Sequence, residues 1–189
     1  MASSRPFVSS SFTYETLEET LDVKPKGSEL LIGIPKENSF NENRIALTPE
    51  AVGVMIANGH QVVVETKAGD GASYTDKDYS DAGARIAYDK KQVFDCSILV
   101  KSAPVSEAEC ELLKPSQYII SPIHLAVMKR EILQKMMDKK ITALSFENLK
   151  DDSDSYPIVR SMSEIAGSAV MLIAAQYLGS ANHGKGVLL

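Results

Sequence analysis

The chain has 189 residues, of which 44% are hydrophobic and 24% are charged, so it can bury the core of one domain or slightly more. A net charge of −5, a pI near 5.3 and the absence of Trp argue against a general nucleic-acid binder. The longest apolar run, residues 169–175, is too short to cross a membrane, and no apolar signal core opens the chain. Cys96 and Cys110 lack a disulfide or metal-binding spacing, which is typical of reduced thiols. These features predict a soluble cytoplasmic protein without a metal site.

Residues 1–28 are rich in Ser, Thr, Glu and Lys and carry only scattered apolar side chains. We interpret them as a partly disordered N-terminal arm, with one short helix near residues 16–21. The folded domain is predicted to begin at residue 29.

From residue 30 onward, short apolar runs alternate with segments of helical periodicity. The predicted strands are 30–34, 60–67, 84–87, 97–100, 118–121 and 141–146. The predicted helices are 48–58, 76–82, 90–94, 107–113, 125–139 and a long one that begins at Ser161 or Ser163 and ends at Leu178. This alternation predicts an α/β fold with an open, mostly parallel sheet and helices on both faces, either Rossmann-like or flavodoxin-like.

Arg44 lies in the loop between the first strand and the first helix, just before the N-cap Thr48 and Pro49. A fork-shaped cation in this place is suited to binding a carboxylate. The alternative is a surface arginine that pairs with Glu37 or Glu42, and the loop chemistry alone leaves both interpretations open.

Three more polar residues, Lys101, His124 and Glu147, follow directly on predicted strands. Ligands of open parallel sheets bind at the carboxyl ends of the strands. The shared placement of these residues with Arg44 therefore predicts a small-anion site, although loops are polar in any case.

Gly69 and Gly71 follow the second predicted strand, as the glycines of a dinucleotide-binding loop would. A third glycine and an immediately following helix are missing from this pattern. We therefore predict a turn that leads into the helix at 76–82, and no nucleotide site.

The last predicted helix is apolar nearly all round, and one of its faces consists of Ile165, Ala169, Leu172, Ile173 and Gln176. Such a helix is usually buried on several sides. We expect it to bridge to another domain or another subunit.

Taken in order, several motifs resemble one known family. They are GIPKE, NRIALTPEAV, GHQVVVE, GDGASYTDKDYSDAGA, ILVKSAP, IHLA, ITALSFE, MSEIAG and GKGVLL, and they run from about residue 30 to residue 189. This stretch resembles the N-terminal part of the alanine dehydrogenase and nicotinamide nucleotide transhydrogenase family. Saccharopine dehydrogenases share the opening GIPKE and ALTPE pattern. The histidine of IHLA is typical of the alanine dehydrogenases and is lacking in the transhydrogenase relatives.

The resemblance implies an activity: NAD-dependent oxidation of alanine to pyruvate and ammonium. It implies that Arg44 binds the substrate carboxylate and that His124 is the catalytic acid and base. It also implies that Lys101 binds the carboxylate or carbonyl oxygen and is catalytic by favouring the charge that develops there. Met162 matches a segment that borders the family's substrate pocket, and Ser163 beside it is a candidate cofactor contact. The lysine segment, Val-Lys-Ser-Ala-Pro, is one residue longer than the family's Val-Lys-Glu-Pro, so the register of Lys101 differs from the pattern.

Glu147 occupies the family's position after the last strand, where a helix cap or an ion-pair partner is an equally good interpretation. The resemblance also implies an organisation into a substrate domain, 29–155, and a linking helix with the start of an NAD-binding domain, 156–189. In relatives a glycine-rich nucleotide domain and a returning C-terminal segment follow. We therefore expect this chain to carry half an active site and to hold no NAD alone.

The full-length protein is expected to be a homo-oligomer that acts on alanine and pyruvate and binds neither nucleic acid nor membrane. Two alternatives remain at this point. One is a non-catalytic domain that binds a small carboxylate or a partner. The other is a transhydrogenase-like subunit with membrane partners and no dependence on His124.

Overall fold

The computed structural model describes residues 28–39 and 41–187. The predicted arm, including its helix near residues 16–21, lies outside the described residues except for Ser28. From Leu31 onward the chain alternates between strands and helices, as the sequence predicts.

Six strands form one sheet in the order β3-β2-β1-β4-β5-β6, and every neighbouring pair is parallel. The strands are β1 Leu31–Ile34, β2 Gln61–Glu65, β3 Arg85–Ala87, β4 Ile98–Val100, β5 Tyr118–Ser121 and β6 Thr142–Ser145. This is the Rossmann-like order, which confirms the predicted fold class. The strand order reverses between β1 and β4, so the loops that follow these two strands diverge to opposite faces of the sheet.

The helices are α1 Pro49–Ala57, α2 Asp76–Asp81, α3 Lys90–Phe94, α4 Glu107–Leu112, α5 Arg130–Asp138 and α6 Pro157–Leu178. Short 3-10 turns cover Asp70–Ala72, Phe146–Asn148 and Ser180–Asn182. Thr48, Thr75 and Ser106 cap α1, α2 and α4 with their hydroxyl oxygens, and the cap at Thr48 confirms the prediction from the sequence.

Two hydrophobic cores lie on opposite faces of the sheet, because alternate side chains of each strand point to opposite sides. In β2, Val63 packs with α3, α4 and α5, whereas Val62 and Val64 pack with α1 and α2. Helices therefore cover both faces, as predicted. Cys96 and Cys110 are buried and unpaired within the first core, and burial raises the pKa of the Cys96 thiol to about 11.

Two helix starts differ from the predictions. α5 begins at Arg130 and not at Leu125, because His124 adopts a left-handed backbone conformation (φ 47°) that begins a separate turn. The amide N–H groups of Val127 and Met128 both donate to the carbonyl of His124 in that turn. α6 begins at Pro157, earlier than Ser161 or Ser163, since proline is well suited to the first helical turn.

Gly69 and Gly71 belong to a turn that packs against neighbouring protein atoms. A Cβ at Gly69 would lie 2.7 Å from the Tyr79 ring, and one at Gly71 would lie 2.8 Å from the backbone oxygen of Asn43. Close packing within this turn therefore requires glycine at both positions.

None of the α6 residues is buried within the described part of the chain. By length and composition this helix could also cross a membrane, with a mean hydropathy of 1.4 over 18 residues. The longest uninterrupted apolar run of this helix, residues 169–175, is shorter than these 18 residues, because small polar residues and glycine interrupt the pattern.

Candidate active site

A cleft of about 610 Å³ opens at the carboxyl edge of the sheet. Its walls come from the loops after β1, β4, β5 and β6 and from the first half of α6. The place corresponds to the reversal of strand order between β1 and β4, where ligands of such sheets bind. The predicted site residues that line the cleft are Arg44, His124, Glu147, Met162 and Ser163.

Arg44 is held by Glu42 at the mouth of the cleft. The Nε and Nη2 atoms of Arg44 donate to the two carboxylate oxygens of Glu42 over 2.8 and 2.5 Å, and the Arg44 amide donates to Glu42 Oε1 over 3.0 Å. The hydrogen bond from Arg44 lowers the pKa of Glu42, and the same pair raises the pKa of Arg44. The predicted pairing of Arg44 with Glu42 is therefore present, while Glu37 makes other contacts.

His124 follows β5 and exposes its imidazole to the cleft. Its amide N–H donates to Glu147 Oε1 over 3.0 Å, and its Nδ1 lies 3.5 Å from Glu147 Oε2. Among the described residues Glu147 Oε2 is buried without a hydrogen-bond partner. A shift of a few tenths of an ångström would make it an acceptor for Nδ1–H, which would direct Nε2 of the ring away from Glu147.

Burial opposes ionisation of Glu147, yet the pKa of this carboxyl is lowered, mainly because it accepts the amide N–H of His124. Glu147 is therefore an anion beside the imidazole. Glu147 thus contacts the amide and the imidazole of His124, whereas no side chain in the described part of the chain caps α5, the helix that follows.

Lys101 lies behind the cleft wall and borders a neighbouring, largely apolar cavity of about 550 Å³. Its side chain is 1% exposed, and its Nζ donates to Glu37 Oε2 over 2.7 Å and to Glu109 Oε1 over 3.1 Å. Arg44, Ser102, Phe146 and Met162 border both cavities. The structure thus brings Arg44 and His124 to one cleft and places Lys101 next to it.

Glu37 also fixes the loop in which the sequence departs from the family pattern. Its Oε1 accepts the amide N–H groups of Ser102 and Ala103 over 2.6 and 3.2 Å. Both of these residues line the cleft. The Glu37 carboxylate therefore links Lys101 to the cleft wall and fixes the position of one relative to the other.

Glu109 completes a buried cluster of four charges with Glu37, Lys101 and Lys90, whose Nζ donates to Glu109 Oε1 over 2.9 Å. Burial raises the pKa of Glu109, but Lys101, the Ser106 amide and Lys90 outweigh it and lower the pKa to about 2. The sequence analysis missed this cluster. The Ser106 to Glu109 capping-box spacing was a signal for Glu109, but nothing in the sequence pairs it with Lys101.

Met162 and Ser163 lie on the first half of α6, facing the cleft. Ser163 Oγ donates to the Val159 carbonyl of the preceding turn over 2.8 Å, so its hydroxyl hydrogen is engaged within the helix. A cofactor contact of Ser163 stays a prediction. Within residues 28–39 and 41–187 there is no group of three or more His, Cys, Asp or Glu that could hold a metal ion.

The comparisons with known proteins agree with this architecture. The sequence model described as "Alanine dehydrogenase/PNT, N-terminal domain" matches residues 33–166. The alanine dehydrogenase of Methanococcus maripaludis is 40% identical over 161 residues, and that of Bacillus subtilis is 39% identical over 160 residues. Each match covers 85% of this chain but only 43% and 42% of the relative.

Solved structures give the same result. A structure named L-alanine dehydrogenase superposes with a TM-score of 0.81 at 34% identity and covers 85% of this chain and 44% of that one. A transhydrogenase from Sinorhizobium meliloti superposes with a TM-score of 0.55 at 26% identity, over 62% of this chain and 35% of that one.

The fold and the cleft define an α/β domain with a candidate ligand site at the carboxyl edge of its sheet. The chain belongs to the alanine dehydrogenase/PNT N-terminal domain family. It spans less than half the length of the alanine dehydrogenases that it matches.

Proposed function

We propose that this chain provides the substrate-binding half of an alanine dehydrogenase, with residues 29–155 as the substrate domain and residues 156–189 as the link to a nucleotide domain. The observation that carries the proposal is the meeting of Arg44 and His124 in one cleft at the switch point of the sheet. A guanidinium and an imidazole are what a 2-amino or 2-oxo acid requires. The first binds the carboxylate, and the second exchanges a proton with the neighbouring amino or carbonyl group.

Arg44 provides the specific contact in this proposal. Glu42 uses the side edge of the guanidinium, formed by Nε and Nη2, so Nη1 and one Nη2 hydrogen remain for the two oxygens of a substrate carboxylate. Met162 supplies an apolar wall that fits a methyl group such as that of alanine or pyruvate.

His124 acts on the reacting end of the substrate. Glu147 faces its Nδ1 side, so Nε2 is the atom that exchanges a proton with the amine or with an attacking water. His124 is therefore the acid and base of the proposed reaction, and Glu147 is the residue that orients it.

Lys101 can contribute one hydrogen bond to the substrate. An ammonium has three donors, and Glu37 and Glu109 accept two of them. The third can reach a substrate oxygen where the cleft and the neighbouring cavity share a wall. We assign hydride transfer to NAD to the full-length enzyme, because the chain spans less than half the length of the alanine dehydrogenases that it matches.

Calorimetric titration with pyruvate tests the proposal. We expect Arg44→Ala to weaken pyruvate binding about 10- to 100-fold, because the variant loses a charge-assisted bidentate contact. Arg44→Lys should restore only part of the affinity, because an ammonium cannot bind two oxygens in a fixed plane. His124→Ala should retain binding of the carboxylate with a smaller loss.

The matched control is Arg160→Ala. Arg160 is also exposed and paired with a glutamate, Glu164, but it does not line the cleft. Pyruvate binding should not change in this variant. An Arg44→Ala protein that binds pyruvate like the parent, or a parent that does not bind it, would contradict the proposal.

A further inference from the structure

Glu42 lies at the cleft beside Arg44 but has no assigned role in the reaction. We propose that Glu42 is a positioning residue, which orients the guanidinium of Arg44 so that its terminal edge faces the substrate carboxylate. The inference rests on the proposed function, since it takes Arg44 as the group that binds the carboxylate.

The geometry of the pair supports this role. Glu42 accepts hydrogen bonds from Nε and Nη2, which form the side edge of the guanidinium, and leaves the terminal edge between Nη1 and Nη2 available. The Arg44 amide donates to the same carboxylate. Three contacts therefore fix the guanidinium plane relative to the backbone of the loop after β1.

Glu42 is more buried than Arg44, and this difference indicates that Glu42 orients Arg44 and not the reverse. The side chain of Glu42 is 12% exposed, whereas that of Arg44 is 58% exposed. An exposed arginine samples many rotamers, and ordering them on binding reduces affinity. The nearly buried Glu42 carboxylate already orders the guanidinium in the free protein. Most of the entropic cost of ordering Arg44 is therefore absent when the substrate binds.

The same pair could instead oppose binding, if Glu42 occupied the edge that the substrate needs. Its negative charge also repels a second carboxylate nearby. The side-edge geometry argues against direct competition, because one guanidinium can hold two carboxylates on different edges. The two roles predict opposite effects of removing the Glu42 charge.

The experiment is pyruvate titration of the 189-residue chain and its Glu42→Gln variant. Glutamine keeps the shape but replaces one acceptor oxygen with an NH₂ group that cannot bond to the guanidinium. We expect the Kd for pyruvate to rise about fivefold to tenfold, the effect of losing one charge-assisted hydrogen bond. Glu131→Gln removes the same charge at an exposed site on α5 and should leave the Kd within about twofold of the parent value.

A second pair of variants separates positioning from general damage to the loop. In the Arg44→Lys background, Glu42→Gln should no longer weaken binding, because an ammonium has no edge to orient. A merely structural role of Glu42 would give the same loss in both backgrounds. Equal losses, or a Glu42→Gln protein that binds as tightly as the parent or more tightly, would overturn the inference and leave the proposed function intact. A parent that does not bind pyruvate would overturn both.

Discussion

At the residue scale, the buried cluster around Glu109 has the largest expected effect on stability. Glu37, Lys90, Lys101 and Glu109 meet within hydrogen-bond distance and carry no net charge together. Buried charges are tolerated when each has partners, and removal of one partner leaves another charge uncompensated. We expect Glu109→Gln to lower the free energy of unfolding by about 3 kcal/mol, measured by urea denaturation.

The control for this variant lies on the same helix. Glu107 is also in the first turn of α4, but it is exposed and 3.7 Å from Lys135. Glu107→Gln should change the free energy of unfolding by less than about 0.5 kcal/mol. Similar losses in the two variants would show that the buried cluster does not stabilise the fold.

The same carboxylate predicts a pH dependence. The pKa of Glu109 in the folded protein, about 2, lies below its ordinary value of 4.5. A lowered pKa means that folding favours the ionised form, so this contribution is complete above pH 4.5 and is lost as the pH falls towards 2. The parent should lose on the order of 3 kcal/mol more than Glu109→Gln across this window.

Urea midpoints measured at several pH values between 5 and 2.5 test this difference. Other ionised carboxylates, such as Asp151 with a pKa of about 2, titrate in both proteins. Their contribution therefore cancels when the two curves are subtracted. Parallel curves would mean that Glu109 has an ordinary pKa in the folded protein.

At the element scale, β1 and α3 approach so closely that only glycine fits between them. A Cβ at Gly33 would lie 2.6 Å from the Val93 carbonyl oxygen and 2.9 Å from Leu99 Cδ2. Gly33→Ala must displace backbone as well as a side chain, and we expect it to lower the free energy of unfolding by about 2 kcal/mol. A decrease in the thermal midpoint would report this loss.

Gly53 is the matched control within an element. It lies in α1, and a Cβ there would meet no atom within 4 Å. Gly53→Ala should raise the free energy of unfolding by up to about 1 kcal/mol, because alanine favours helix more strongly than glycine. If both alanines had the same effect, the close approach at Gly33 would be disproved.

The elements themselves could be predicted from the sequence because their signals are local. The β-branched run at 62–64 and the cap residue Thr48 each specify a strand or a helix start within a few residues. The start of α5 could not be predicted this way, since it depends on the left-handed conformation of His124, whose amide is held by Glu147 from the end of β6. Such a contact spans two strands and leaves no periodic pattern.

The candidate site was predictable only in part for the same reason. A parallel sheet brings the ends of its strands to one edge, so the placement of Arg44 and His124 followed from the order of the elements. The partners of Lys101 did not follow, because Glu37 and Glu109 lie 64 and 8 residues away along the chain. Pairing between charges across loops is a property of the packed structure.

At the scale of the whole molecule, α6 leaves a large apolar surface exposed. Ile165 and Leu172 are 71% and 76% exposed and lie on one face of the helix. Surfaces of this kind mark sites of association, since water contact with them is unfavourable. We therefore expect the 189-residue chain to self-associate through this face.

Sedimentation velocity over a range of protein concentrations tests this prediction. Leu172→Glu should shift the equilibrium towards the monomer, because burying the new carboxylate would cost more than the contact gains. Gly167→Glu adds the same charge to the opposite face of the same helix, at an exposed position where a Cβ would meet no atom within 4 Å, and it should leave the equilibrium unchanged. A parent that stays monomeric at all concentrations would show that α6 does not form an interface between copies of this chain. If both variants dissociated equally, charge on the helix would be the cause, and the apolar face would not be the contact.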